Sequence, residues 1–247
     1  MDKVILTGMK RFEQEPGCCA FGAVAAVANY LHRAIDYDLV CRVKRPDGEG
    51  LYTPDIGTLL NTVGFKKVKI ISADLSQLDF KWADLSKKKL IEQMKEYRRK
   101  HPDQEGRDVA RQYVKFLEGE EDNQLTIDMH FGQHIRESLI AGTPVLASFN
   151  WNLFFSFPKW NEFGDADPIK GDFEQHEIVI YGFDDKGVNI LDSHHEMYKG
   201  KLKKYRSGRY KMDWETLMTV MGFGDLIIPS GFDVERANEL VSKHKES

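Results

Sequence analysis

The sequence predicts an α+β domain, and three observations carry that prediction. Helical spacing comes first along the chain, Val- and Ile-rich strands cluster toward the end, and a tight hairpin joins two of those strands. The length of 247 residues suits one large domain with a substantial core. A hydrophobic content of 41% beside 30% charged residues is ordinary for a globular chain and argues against extensive disorder.

From Cys19 to His32 the small and apolar residues run almost unbroken, which reads as a largely buried helix. In "TPDIGTLLNTVGF" Thr53 suits a helix cap, Pro54 the first helical position, Asp55 the positive dipole end and Gly64 the stop. "KVKIIS" follows as a strand. Residues from about 74 to 127 read as a charged helical insertion: "KKKLIEQMKEYRRK" and "DVARQYVKFLEGEE" flank a "HPDQEG" break, with Val109, Tyr113, Phe116 and Leu117 forming one stripe. A further helix ends near Ala141, and "GTPVLASF" is a strand opened by a turn. "HEIVIYGF" and "KGVNILD" make a hairpin about "DD". "YKMDWETLMTVMGF" predicts a short helix, "DLIIP" a last strand, and the polar tail from about Asp233 a loosely docked helix. The chain thus reads as one domain over 1–247.

The net charge of −4 supplies no cationic field for nucleic acid or an anionic membrane, and no stretch approaches a membrane span. The start lacks the apolar run of a secretory signal. Three cysteines, two of them adjacent, do not make a disulfide framework, so reduced thiols and a cytoplasmic location are expected.

Cys18 and Cys19 sit behind a Pro-Gly turn at the mouth of the first helix, where unpaired N–H groups and the helix dipole favour a thiolate. A cysteine nucleophile also needs a base and a group to orient it. His176 opens one strand of the hairpin and Asp192 ends the other, so the two face each other across an antiparallel pair. Taken singly, each residue also fits a structural role: a small buried thiol, a strand-end histidine, a turn aspartate.

"FEQEPGCCAFGAVAAVANYL", then "GTPVLASF", then "HEIVIYGFDDKGVNILDS" resemble, in that order, the papain-like cysteine peptidases, and most closely the branch of bacteriocin (double-glycine) leader peptidases. The resemblance implies a papain-like fold: an N-terminal helical part whose nucleophile helix packs on an antiparallel sheet carrying His and Asp. It implies Cys19 or Cys18 as nucleophile, His176 as general base and then acid, Asp192 as orienter and Gln14 as oxyanion-hole donor. The leader-peptidase register starts from Cys19 and the papain register from Cys18; the former fits the helix better. No cofactor or metal is expected.

Three functions follow. The first is a peptidase or amidase acting through an acyl-thioester. The second is an acyltransferase passing an acyl group from a thioester donor, such as an acidic carrier protein, to an amine. The third is a binding module on the same fold. The expected partner is a peptide or acyl-thioester substrate, with a carrier or leader peptide docking on the basic run from Lys87 to Lys100. Other features have plainer readings. His130 and His134 have a helical zinc spacing but lack the metalloprotease glutamate. His194 and His195 follow Asp192 and could compete with His176, though turn residues facing solvent are the simpler expectation. "FNWNLFFSFPKW" fits a substrate pocket or core packing equally.

Overall fold

Strand pairing in the computed structural model, which describes residues 3–44, 50–74, 76–160, 165–194, 200–222 and 224–245, builds one sheet in the order β3-β2-β8-β4-β5-β6-β7, with β1 added to β5. The strands are β1 (Val4–Ile5), β2 (Phe65–Ser72), β3 (Gln124–Ile127), β4 (Val145–Asn150), β5 (Gln175–Asp184), β6 (Gly187–Leu191), β7 (Arg209–Asp213) and β8 (Asp225–Phe232). The helices are α1 (Cys19–Leu31), α2 (Tyr37–Val43), α3 (Thr53–Thr62), α4 (Lys87–Lys100), α5 (Gln104–Gly119), α6 (Phe131–Ile140), α7 (Trp151–Phe155), α8 (Trp214–Met221) and α9 (Val234–Lys245). The α+β class is therefore as the sequence predicts. The sheet is antiparallel except for β2 and β3, which run parallel because α4 and α5 provide the long crossover between them.

Helix α1 buries every residue from Ala20 to Asn29, and its small side chains let it lie close to β5. Asn29 at its far end donates from Nδ2 to the carbonyls of Arg33 (2.9 Å) and Ile35 (2.8 Å), which fixes where the chain leaves the helix. Helix α3 begins one residue earlier than the capping pattern suggests. Tyr52 holds the cap position, Thr53 is already helical, and the Thr53 hydroxyl instead donates to Asp225 at 2.5 Å. The hairpin turn is Asp185–Lys186, since Asp184 still pairs with Gly187.

The charged segment before β3 is held firmly. Phe116 of α5 fills the space left by Gly57 of α3, where a Cβ would come within 2.6 Å of its ring. Asn61 and Asn123 exchange side-chain hydrogen bonds, and Asn123 also donates to the Phe116 carbonyl at 2.8 Å. Much of the α4 basic run is engaged within the segment. Lys87 donates to the carbonyls of Glu120 and Glu121, Lys95 pairs with Glu118, and Arg99 and Lys100 pair with Glu96.

"YKMDWETLMTVMGF" divides into β7 and α8, because Asp213 caps the helix by accepting from Thr216 N at 2.8 Å. The tail forms α9, with Ala237 and Val241 buried and Arg236 paired to Glu120. Among the described residues no helix is long and apolar enough to cross a membrane.

Candidate active site

Two neighbouring backbone turns decide which thiol enters the site. Cys18 takes the cap position of α1 with a non-helical backbone (φ −108°, ψ 28°), is 3% exposed, and its Sγ lies 3.5 Å from the Pro16 carbonyl. It sits in the electrostatic neighbourhood of Tyr37 and Cys41 on α2, whose acidities burial and mutual contact perturb; the Cys41 thiol is pushed up to about 11. Cys19 is the first helical residue, only partly buried, and lies near enough to His176 to act on its pKa.

His176 stands at the start of β5, paired in register with Phe149 of β4. Its Nε2–H donates to Asp192 Oδ1 at 2.8 Å, so Nδ1 is the ring nitrogen left for Cys19. Asp192, just past β6, accepts on Oδ1 from the His194 backbone N–H (2.8 Å) and on Oδ2 from the Tyr210 hydroxyl (2.8 Å). Both side chains are out of solvent. Burial by itself would lower the His176 pKa, but the charge and hydrogen bonds of Asp192, and then of Cys19, hold it well above the usual histidine range. Burial likewise opposes charge on Asp192, yet His176, the His194 N–H and Tyr210 together hold its carboxyl below the usual range. Tyr210 itself is pushed well up by burial and by Asp192, which keeps it a hydroxyl donor.

An aromatic wall closes this network off. Asn150 caps α7 by accepting from Leu153 N at 2.8 Å, and Asn152 clamps the helix to the chain before β5 through Glu174 N at 2.6 Å. Trp151 is thereby held 4.5 Å from the His176 ring and stacks on His194 at 4.3 Å, while Phe149 meets His176 edge-on at 5.7 Å. Phe154 stacks on Tyr210 at 5.7 Å. The aromatic stretch therefore packs behind the polar network.

Gln14 is 5% exposed and locked to Ser193 twice: its backbone N–H donates to the Ser193 carbonyl at 2.9 Å, and Ser193 Oγ donates to Gln14 Oε1 at 2.5 Å. With the amide oxygen engaged, the NH₂ group remains as the donor. Gly22 of α1 permits this contact, since a Cβ there would fall 2.5 Å from Ser193 Cβ. Arg11 fastens the same loop, donating from Nε to the Asp192 carbonyl and from Nη2 to the His194 carbonyl, both at 2.7 Å. The first N–H groups of α1, that of Cys19 among them, have no acceptor within the helix.

The structure thus gathers Gln14, Cys19, His176 and Asp192, and turns Cys18 away. His194 donates its backbone N–H to Asp192 and stacks its ring on Trp151, and His195 lies outside the described residues. His130 and His134 both bind one carboxylate, Asp128, at 2.6 and 2.8 Å. Among the described residues no group of three or more His, Cys, Asp or Glu side chains is arranged to hold a metal ion. Arg11, Gly22, Ser193 and Tyr210 escape sequence reasoning as site residues. Only Gly22 left a signal, a glycine inside a helix that otherwise favours alanine.

Two solved structures share the chain's course at low identity. One is a protein of Bacillus anthracis described as a C39-like peptidase, with 15% identity and a TM-score of 0.42 over 94% of this chain and 100% of that one. The other is xylellain, a cysteine protease from Xylella fastidiosa, with 14% identity and a TM-score of 0.46 over 94% of this chain and 86% of that one. Neither likeness is close enough to carry the assignment, and no curated protein matches the sequence. The family model does carry it: residues 7–221 match the Peptidase_C39 like family, so this chain belongs to that family of the papain-like cysteine peptidase superfamily.

Proposed function

We propose that this chain is a cysteine peptidase that cleaves a peptide or amide bond through an acyl-thioester on Cys19. The observation that carries the reading is a buried His176 bonded to Asp192 on one side, with Cys19 near enough on the other to help hold its pKa up. Sγ of Cys19 attacks the substrate carbonyl carbon, forming the S–C bond. The negative charge moving onto oxygen is met by the Gln14 amide and the Cys19 N–H. Collapse breaks the C–N bond, and His176 gives its Nδ1 proton to the departing amine. Water then enters, His176 takes its proton, and hydroxide attack on the thioester releases the acid and regenerates the Cys19–His176 pair.

Acyl transfer to an amine would use the same intermediate, with the amine replacing water. The basic run invoked for a carrier partner is largely engaged by Glu96, Glu118 and the Glu120 and Glu121 carbonyls, so hydrolysis is the reading put forward. The test is brief iodoacetamide exposure over a pH series, with peptide mapping of Cys18, Cys19 and Cys41. Cys19 should alkylate far faster than the other two and remain reactive below neutral pH. Slow, alkaline-only reaction at all three thiols would remove the reading and favour a binding module.

A further inference from the structure

A second polar cluster occupies the same end of the sheet as His176 but the opposite face. Side chains alternate along a strand, so Glu177 points away from His176 and shares its face with its β4 partner Ser148. One step beyond the Ala147–Leu226 pair, Ser148 stands opposite Asp225 of β8, which in turn pairs with Ser72 of β2. Ser148 donates to Glu177 Oε2 at 2.5 Å and Thr53 to Asp225 Oδ2 at 2.5 Å. The other oxygen of each carboxyl, Glu177 Oε1 and Asp225 Oδ1, is buried with no hydrogen-bond partner among the described residues. Asp225 is 8% exposed and Glu177 3%.

Asp225 and Ser148 line a cavity of about 460 Å³, bounded also by Gln175 on the sheet and by Thr53, Asp74 and Glu105 around its rim, with Glu177 behind Ser148. That volume is within the range of roughly 300–1,000 Å³ usual for ligand sites. Among the described residues lining it there is no Lys, Arg or His. Burial pushes Asp225 up to about 6 and Glu177 to about 8. The Ser72 and Thr53 hydroxyls partly offset the Asp225 shift, while Asp74 adds to it and Tyr113 on α5 lies near the same carboxyl; on Glu177 the Ser148 hydroxyl and then His176 offset the shift, and Asp225 adds to it. Asp225 on the cavity wall and Glu177 behind Ser148 are buried carboxyls, each with one oxygen unpartnered among the described residues, and no described residue lining the cavity is a cation.

Resting on the peptidase reading above, we propose that this cavity is a specificity pocket for a cationic side chain, lysine or arginine, carried by the substrate close to the bond that Cys19 attacks. The reach is right. Neighbouring strands lie about 4.8 Å apart, so β8 is about 10 Å from β5 along the sheet, about three extended residues, and the side chain passes to the other face around the strand end at Gln175. Gln175, on the cavity wall, directly precedes His176.

The experiment is digestion of a defined peptide mixture by the full chain, followed by sequencing of the cut sites. Lys and Arg should be enriched at least tenfold at one fixed position within three residues of the cut. Exchanging that Arg for citrulline, its neutral near-isostere, should lower kcat/KM at least 30-fold, and Asp225→Asn should bring the Arg-to-citrulline ratio close to one. Cleavage with no such position, or equal rates for Arg and citrulline peptides, overturns the pocket while leaving the peptidase standing. If the wild-type chain cuts nothing and its thiols react slowly, the peptidase reading is what fails. The pocket is then judged by calorimetric titration with agmatine, where saturable binding weakened by Asp225→Asn upholds it and absence of binding overturns it.

Discussion

His176 and Glu177 are consecutive residues of β5, both buried, and they meet opposite circumstances. On the His176 face every oxygen of the partner Asp192 is engaged, by imidazole, backbone N–H and phenol, and the two groups stay charged out of solvent. On the Glu177 face two carboxyls each keep an oxygen with no hydrogen-bond partner among the described residues, and burial drives both toward the neutral form. A buried ionic network costs desolvation whether or not it is complete, but only a complete one recovers that cost. The difference separates a site that is assembled in the free protein from one that waits for positive charge.

The sharpest way to break the comparison is to remove the atom unique to the complete side. Cys19→Ala should abolish turnover, a loss of about 10⁴-fold or more in kcat as for other nucleophile deletions, read by peptide hydrolysis. Cys18→Ala should leave kcat within a few-fold, because Cys18 is turned from His176, and should show mainly a lowered melting temperature. Next in size is Asp192→Asn, which keeps the shape but removes the charge that holds His176 in place. A loss of about 10²- to 10⁴-fold in kcat is expected, with a smaller change in KM. If Asp192→Asn retained full activity, His176 would not depend on the network that encloses it.

A third variant tests the contact that presents Gln14. Gly22→Ala sets a methyl 2.5 Å from Ser193 Cβ, so the Ser193–Gln14 lock must shift. Losing one oxyanion donor costs roughly 10²-fold in kcat, and that is the expected scale here. The double variant Gly22→Ala, Ser193→Gly removes the clash and should recover part of the loss if sterics alone are responsible, because the backbone bond from Gln14 N to residue 193 survives.

How far the sequence reaches differs between the two faces in the same way. Long, uniform segments are legible: α1 from its unbroken small residues, the β5–β6 hairpin from its Val and Ile content, and His176 opposite Asp192 from strand pairing. Short elements set by side-chain caps are not. α7 exists because Asn150 accepts from Leu153 N, and β7 is a five-residue strand with charged residues that finds its place only by pairing with β6. Tyr210 and Arg11 join the site across long stretches of chain, with no local pattern to announce them. Glu177 was hidden in plain view inside "HEIVIYGF". A glutamate among strand residues reads as a solvent-facing position, and only the folded sheet makes it buried.

The smallest effect on turnover, and the most direct probe of the incomplete side, is Glu177→Gln followed by stability against pH. Burial raises the Glu177 pKa to about 8 in the folded chain, from an ordinary 4.5, so between those limits the folded chain holds a proton that the unfolded chain has released. Stability from this group is therefore greatest in acid and is lost as pH rises toward 8, by an amount on the order of 1.4 kcal/mol per pH unit. Asp225, at about 6, acts in the same direction over a lower and narrower window. Asp192 has the opposite sign, since its lowered pKa means stability present above the unfolded value and lost as pH falls. Glutamine keeps an oxygen for the Ser148 hydroxyl and cannot ionise. Glu177→Gln should match the wild type within about 1 kcal/mol at pH 5 and exceed it by a few kcal/mol at pH 9, read from urea midpoints at each pH. Parallel curves for the two chains would mean that Glu177 is already charged and paired in the free protein. The contrast between the two faces of β5 would then collapse, and with it the reason to look for a cation in the cavity.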